Sequence, residues 1–292
     1  MKNKKIKNIR NFICFAGPAL FFFFIIIGAA FMSGVQLSLT DWNGLEDSYN
    51  YIGLQNYIDA LHDTEFITSM LKTFVYVLFV VVITNIVAFF IAYGLTRGIK
   101  AQGVFRIGFF TPNLIGGVVM GLMWKFVFST ALPGIGDLFN IEFLQHNLLS
   151  QPGTAFGSLI VVAVWQLAGY LMLIYMAGIV GLPGEVLEAA KLDGAKGFKE
   201  LRDIILPLIM PAITICAFMS VKTAFMAYDV NMSLTNGGPY ASTKLVAMQV
   251  YERAFISEKY GVGQAEALIL FVIVTIITLI QVGLSKSKEV EA

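Results

Sequence analysis

Six long stretches of the chain contain no charged residue, and this feature limits what the sequence can fold into. They cover residues 12–37, 73–96, 107–124, 155–184, 204–221 and 267–285. A helix of about 20 apolar residues crosses the hydrocarbon core of a bilayer. None of the stretches shows the strict alternation of a membrane β-strand, and helices satisfy their own backbone hydrogen bonds in lipid. The sequence therefore predicts an all-α, polytopic membrane protein with six transmembrane helices and one membrane domain over residues 1–292.

The composition excludes several classes of protein. Charged residues make up 13% of the 292 residues and hydrophobic residues 57%, whereas a soluble domain carries about 25% charge. A soluble enzyme and a disordered chain are therefore excluded. A net charge of +1 provides no field that would attract nucleic acid.

Lysine and arginine are distributed unevenly between the segments that connect the six stretches. If the N-terminus faces the cytoplasm, the inner segments are 1–10, 97–106, 181–206 and 285–292, and they hold fourteen of the twenty basic residues. The outer segments 40–70, 129–154 and 229–263 hold three. Cytoplasmic loops carry the excess of basic residues, so both termini are predicted to be cytoplasmic. The first stretch has 26 residues, too long for the core of a signal peptide, and is expected to remain as a helix.

The motifs of nucleotide and metal chemistry are missing from the sequence. There is no phosphate-binding G-x-x-x-x-G-K-[ST] motif, so we expect no ATPase site in this chain. His62 and His146 have no second ligand at helical spacing, and Cys14 and Cys216 lie in apolar stretches. We expect no catalytic residue, no metal and no cofactor bound by the chain itself.

The inner loop over residues 181–206 is long and amphipathic. Helix-forming residues predict two short helices, 185–192 and 197–205, separated by a turn at Gly194. Phe198, Leu201 and Ile205 are spaced to share one apolar face. The residues alone leave two interpretations open: a helix hairpin on the membrane surface, or an elbow that docks into a groove of a cytoplasmic partner.

Several short motifs in this loop occur together without a gap. They are Glu188-Ala189-Ala190, Asp193-Gly194-Ala195, Ile204, Leu206-Pro207 and Pro211. In this combination they resemble the EAA loop of ABC importer permeases. Residues 38–42, 51–57, 112–124 and 234–239 are similar to segments of the carbohydrate-uptake permeases. The resemblance covers nearly the whole chain and points to the MalF-like, six-span subunit of a binding-protein-dependent sugar permease.

The resemblance implies a fold, partners and a location. The fold would be that of a type I ABC importer permease (MetI-like), in the inner or plasma membrane of a bacterium. The partners would be a second homologous permease subunit, two ATPase subunits that hydrolyse ATP with Mg, an extracellular or periplasmic sugar-binding protein and the lipid bilayer, with no nucleic acid. The loop 185–205 would couple to the ATPase. Its coupling residues would be Glu188, Ala189, Ala190, Asp193, Gly194, Ala195, Phe198 and Leu201.

Polar side chains within the apolar stretches are candidates for the sugar path, because a polar group inside a membrane is energetically costly. We expect the path to use Asn113, Trp124, Gln166, Tyr170, Lys222, Tyr228, Asp229 and Asn231. Lys222 and Asp229 are seven residues apart and are predicted to share one helix face. Asn85 is expected either to line the path or to bridge two helices.

Two alternatives to the permease interpretation remain open at this stage. A secondary, ion-coupled transporter of a small polar solute would place coupling carboxylates at the bilayer midplane. The acids nearest to the stretches, Asp229 and Glu266, are predicted at the outer ends instead. A membrane enzyme or scaffold is the second alternative, and it would not explain the EAA-like loop.

Overall fold

A computed structural model describes residues 2–46 and 48–287 of the chain. The predicted cytoplasmic residues 288–292 lie outside the described residues. Helices and turns build the described part, with an isolated antiparallel bridge between Thr40 and Tyr51. The α-helices are α1 (Lys2–Phe23), α2 (Ala29–Leu37), α3 (Gln55–His62), α4 (Thr64–Leu95), α5 (Gln102–Phe110), α6 (Gly117–Phe126), α7 (Leu132–Phe139), α8 (Pro152–Val180), α9 (Gly184–Leu192), α10 (Phe198–Glu200), α11 (Leu206–Leu208), α12 (Met210–Phe225), α13 (Asp229–Leu234), α14 (Val246–Tyr251) and α15 (Tyr260–Lys286).

Five helical stretches in the described part are long and apolar enough to cross a membrane. They are Phe12–Leu37, Thr64–Leu95, Gly117–Phe139, Pro152–Val180 and Tyr260–Lys286. A sixth span is formed by the pair Phe198–Leu208 and Met210–Phe225, which is bent by 73°. The helical fold class is confirmed, and the predicted six spans are present when the bent pair is counted as one.

The third span differs from its predicted position. Residues 107–124 were expected to form one helix, but α5 ends at Phe110, a 3-10 turn follows at Thr111–Leu114, and α6 begins at Gly117. Pro112 lacks a backbone N–H and so favours a helix start, and Gly116 has an extended backbone (φ −59°, ψ 142°). The span therefore continues to Phe139, into the segment that was predicted to lie outside.

The chain divides into two compact units. The first comprises residues 1–64 and 250–269, and the second comprises residues 65–249 and 270–292. The sequence predicts one membrane domain over residues 1–292, and this domain organisation stays a prediction.

In the first unit, a loop after α2 is ordered by polar side chains. Both oxygens of Asp41 accept hydrogen bonds from Asn50, at 2.7 and 3.1 Å, and these bonds lower the pKa of Asp41. The Asn56 side chain donates to the carbonyls of Ser38 and Thr40 at 2.8 and 2.7 Å. The loop is therefore a defined structure that begins where α2 ends.

A buried ion-pair cluster lies in the same unit. Arg253 pairs with Glu266 at 3.4 Å (Nε to Oε1) and also with Asp63. Glu266 is fully buried. A buried carboxylate is tolerated when a partner charge compensates it, so Glu266 has a structural role at the start of α15.

In the second unit, a polar network connects three transmembrane helices. Asn85 on α4 donates to the hydroxyl of Ser220 on α12 at 2.9 Å, and its carbonyl oxygen accepts from Tyr175 on α8 at 2.7 Å. Buried apolar residues surround it, including Ala88, Met172 and Cys216. Polar bonds of this kind hold helices together where lipid supplies no hydrophobic driving force. Asn85 therefore bridges helices, which is one of its two expected roles.

Candidate functional site: a mid-span pocket and a helical elbow

A pocket of about 250 Å³ opens in the second unit. Four of the predicted path residues line it: Asn113, Gln166, Tyr228 and Asp229. Gln166 is the middle residue of the 29-residue helix α8, so the pocket lies halfway along a transmembrane helix. The structure thus brings amide, phenol and carboxylate groups together beside the middle of α8.

The Gln166 side chain is fixed by the break between α5 and α6. Its Nε2 donates to the carbonyl of Ile115 at 3.1 Å. This bond satisfies a backbone group that the break leaves without a helical partner. The interruption at Pro112 therefore places Asn113 in the pocket wall and holds Gln166 beside it.

Asp229 reaches the pocket because α6 carries glycine where the two helices touch. A β-carbon on Gly117 would lie 2.6 Å from the Cβ of Asp229. One turn further along, a β-carbon on Gly121 would overlap with Ser233. The Gly117–Gly121 pair thus lets α13 lie directly against α6, the packing role that small residues have in membrane helices.

The predicted shared helix face of Lys222 and Asp229 is wrong. Helix α12 ends at Phe225, and a new helix, α13, starts at Asp229. The break turns Asp229 into the pocket, while Lys222 does not line it. Asp229 follows the end of α12 at Phe225, where the end of a span was predicted, and it lines the pocket together with Gln166.

Three other predicted path residues lie elsewhere. Trp124 packs on Phe128 and Trp165, with ring centroids 4.9 and 5.3 Å apart. Tyr170 packs against the apolar core around α8. Asn231 is fully buried, and its Oδ1 accepts from Thr235 Oγ1 at 3.2 Å. In this conformation none of the three lines the pocket.

Sequence reasoning missed Tyr76, which lines the pocket from α4. The helix is apolar on all sides, with aromatic residues at many positions, so no periodicity distinguishes Tyr76 from residues in contact with lipid. A hydrogen-bonding aromatic residue in an otherwise apolar span was the available signal.

The helix–turn–helix segment at residues 184–208 lies in the second unit, and we call this segment the elbow. Helix α9 (Gly184–Leu192) is followed by a turn in which Gly194 has φ +80°, a conformation that favours glycine. The chain then continues from Phe198 to Leu208 as one helical stretch, with π-helical geometry at Leu201–Ile205. Two short helices and a glycine turn were predicted, and the structure has both.

The elbow residues divide into a surface set and a buried set. Glu188, Ala189, Asp193, Gly194 and Phe198 are exposed, whereas Ala190, Ala195 and Leu201 are buried. The predicted common face of Phe198, Leu201 and Ile205 is wrong: Phe198 is 75% exposed, while Leu201 and Ile205 pack into the core with Leu95 and Leu171. Helix α10 begins at Phe198, directly after Gly197, which has φ +60°. At this first helical position the Phe198 side chain points away from the core.

Leu192 is a second exposed apolar residue of the elbow and was not predicted as a site residue. It is 89% exposed at the end of α9. Leu192 lies four residues after Glu188, and residues at this spacing share one helix face. This spacing could have identified Leu192 as a site residue from the sequence. Glu188, Leu192 and Phe198 thus place one acidic and two large apolar side chains on the surface of the elbow.

Comparison with known proteins identifies the family of the chain. Residues 85–290 match the model of the binding-protein-dependent transport system inner membrane component. The chain belongs to this family. It is therefore a membrane component of a transport system, and the predicted location in a cell membrane is confirmed.

Individual members of the inner membrane component family resemble the chain over nearly its full length. A probable starch degradation products transport system permease protein of Thermoanaerobacterium thermosulfurigenes is 38% identical, over 99% of both chains. A multiple sugar-binding transport system permease protein of Streptococcus mutans is 34% identical, over 93% of this chain and 92% of the relative. The carbohydrate-uptake resemblance of the sequence is confirmed by these relatives.

The fold of the inner membrane component is found again in a solved structure. This is a bacterial alginate ABC transporter in complex with an alginate pentasaccharide-bound periplasmic protein. It matches with a TM-score of 0.79 at 17% identity, over 95% of this chain and 94% of that one. The predicted ABC importer permease fold is confirmed, and the family favours the importer interpretation over the secondary transporter.

Proposed function

We propose that the chain is the transmembrane subunit of an ATP-driven importer of a carbohydrate. The observation that carries this proposal is the pocket, in which Asn113, Gln166 and Asp229 offer hydrogen-bonding groups beside the rings of Tyr76 and Tyr228. Small polar solutes are recognised by a few convergent polar groups, and flat aromatic faces suit the apolar side of a sugar ring. The substrates in the names of the two relatives, starch degradation products and sugars, belong to the same chemical class.

We propose that a second permease subunit covers the open side of this pocket. Lys222, Thr223 and Asp229 are exposed on the surface of the second unit, although they belong to the bent span or follow it directly. A charged side chain in contact with lipid is costly. A homologous subunit that packs on this side would shield these groups and complete the path.

We propose that the surface of the elbow binds an ATPase subunit. Its exposed residues Leu192 and Phe198 are large and apolar, and the exposed Glu188 lies one turn before Leu192 on α9. A central apolar anchor with charged neighbours is the arrangement typical of binding hot spots. Two such ATPase subunits would bind ATP together with Mg and hydrolyse the ATP. This chain would bind neither ATP nor Mg.

The extracellular or periplasmic binding protein would contact the predicted outer loops. Residues 236–245 form a defined loop there: Thr243 Oγ1 donates to the carbonyl of Gly238 at 2.8 Å and Lys72 Nζ to that of Ala241 at 2.6 Å. Tyr240 is 93% exposed at its tip. A rigid loop that presents an aromatic residue suits a partner that carries a saccharide.

The test is a substrate screen on the complete transporter, purified through this chain with its natural partners. ATP hydrolysis is measured with binding protein that has been loaded with single sugars, oligosaccharides or amino acids. The proposal predicts stimulation by one or a few saccharides. Stimulation by amino acids alone would contradict the carbohydrate assignment, and the absence of a co-purifying ATPase would contradict the ATP-driven mechanism.

A further inference from the structure

An ion pair connects the elbow to a transmembrane helix other than the one into which the elbow continues. Nη2 of Arg97 lies 3.3 Å from Oε2 of Glu200. Arg97 follows the end of α4, and Glu200 belongs to α10 at the start of the second elbow helix. The contact joins residues 103 positions apart in the sequence.

The geometry around Arg97 holds its side chain in place. Its guanidinium carbon lies 4.5 Å from the centroid of the Tyr93 ring, and the same group donates to the Tyr93 hydroxyl. Tyr93 lies one turn earlier, within α4, so the arginine side chain is held against the end of this helix. A cation held over an aromatic face loses little additional freedom when it pairs with a carboxylate.

Glu200 is the buried partner. Its side chain is 10% exposed, and the next residue, Leu201, is part of the apolar core. A carboxylate in such surroundings has to be compensated by a positive charge. Exposed acids on the elbow, such as Glu188, could tolerate the loss of a partner, but Glu200 could not.

We infer that Arg97 and Glu200 are positioning residues that transmit movement of the elbow directly to α4. This inference rests on the proposed coupling of the elbow to an ATPase. The covalent route from the elbow leads into α12 through a bend of 73°, and a bend transmits a push less directly than a straight helix. The ion pair, beside the apolar core that Leu201 shares with Leu95, provides a second route. This route leads to α4, the helix that carries Tyr76 and Val80 into the pocket wall. Movement of the elbow would thus reach the pocket from two sides.

Hydrogen exchange on the intact transporter, purified with its ATPase, tests the inference. Deuterium uptake is compared between the nucleotide-free state and the state trapped with ATP and vanadate. The peptides cover residues 85–95 of α4 and residues 210–225 of α12. In the wild type both regions should respond. Arg97→Ala should reduce the α4 response at least about fivefold, the lower end of typical coupling effects, while the α12 response and ATPase binding persist.

Charge reversal provides the specific control. The double variant Arg97→Glu/Glu200→Arg should restore the α4 response, whereas a purely local loss of stability would not be rescued. Lys100→Ala removes a nearby exposed positive charge and should leave both responses unchanged. If Arg97→Ala does not assemble, Glu200→Gln replaces it.

Three outcomes would overturn the inference. The first is a wild-type α4 response in Arg97→Ala, and the second is a double variant that assembles but lacks the α4 response. The third is that no single variant assembles while the double variant behaves as wild type. This third result would mean that the ion pair serves folding only. Absence of the ATPase from the wild-type preparation would instead contradict the proposed function.

Discussion

The Cβ of Asp229 lies 2.6 Å from the place that a β-carbon on Gly117 would occupy. The position of the Asp229 carboxylate in the pocket therefore depends on the glycine of the facing helix, because a side chain at residue 117 would occupy the same space.

Gly117→Ala should displace Asp229 and impair transport. Overpacking of a tight contact typically costs about 1–3 kcal/mol of packing energy. A shift of Asp229 away from the pocket would relieve this strain, and we expect it to lower the substrate affinity by about tenfold. The measurement is the concentration dependence of sugar uptake. Gly116→Ala is the matched control, because the space around Gly116 is open; equal effects of both substitutions would contradict the proposed role of the contact.

Asp229→Asn should weaken transport without affecting assembly. The substitution keeps the size of the side chain but removes its charge, and a hydrogen bond to a charged group contributes about 1.5–3 kcal/mol. Apparent affinity for sugar should therefore fall by about tenfold or more, with unchanged recovery of partner subunits. Asp137→Asn, at an exposed position on α7, should have no effect. Wild-type uptake kinetics in Asp229→Asn would remove this residue from the path.

Leu192→Ala and Leu201→Ala should have opposite consequences, although the two residues are nine positions apart in one loop. Leu192 is exposed, so its loss should reduce co-purification of the ATPase and leave thermal stability unchanged. Leu201 is 8% exposed, and truncation of a buried leucine costs about 2–5 kcal/mol of stability. Thermal unfolding in detergent and pull-down of the ATPase separate the two effects. An unchanged pull-down with Leu192→Ala would place the ATPase contact elsewhere.

Glu266→Gln should destabilise the protein rather than alter ion dependence. Breaking a buried ion pair costs about 3–5 kcal/mol, and we expect a clearly lower melting temperature. Glu65→Gln is the matched control, because the side chain of Glu65 is 70% exposed in its pair with Lys244 and exposed pairs contribute about 0–1 kcal/mol. An ion-dependent transport defect in Glu266→Gln at normal stability would revive the secondary-transporter alternative.

The sequence predicted those features that depend on composition along the chain. A long apolar stretch forms a membrane span regardless of the helices that pack against it. The turn at Gly194 depends only on the local backbone preference of glycine. The pattern of the elbow motifs likewise identified its two helices.

Features that depend on tertiary packing were not predictable in the same way. The helix break after Phe225 turns Asp229 into the pocket. No proline and no run of charged residues marks this break in the sequence. The burial of Leu201 beside an exposed Phe198 reflects the core that α4 and α8 provide. Arg97 became recognisable as the partner of Glu200 only once α4 and the elbow were placed side by side.

The most direct test of the account is ATP-dependent sugar uptake into liposomes, with the intact transporter compared to the purified chain alone. The account predicts uptake by the intact transporter only when ATP and the loaded binding protein are both present, and none by the chain alone under any ion gradient. Uptake by the chain alone, driven by a proton or sodium gradient, would contradict it.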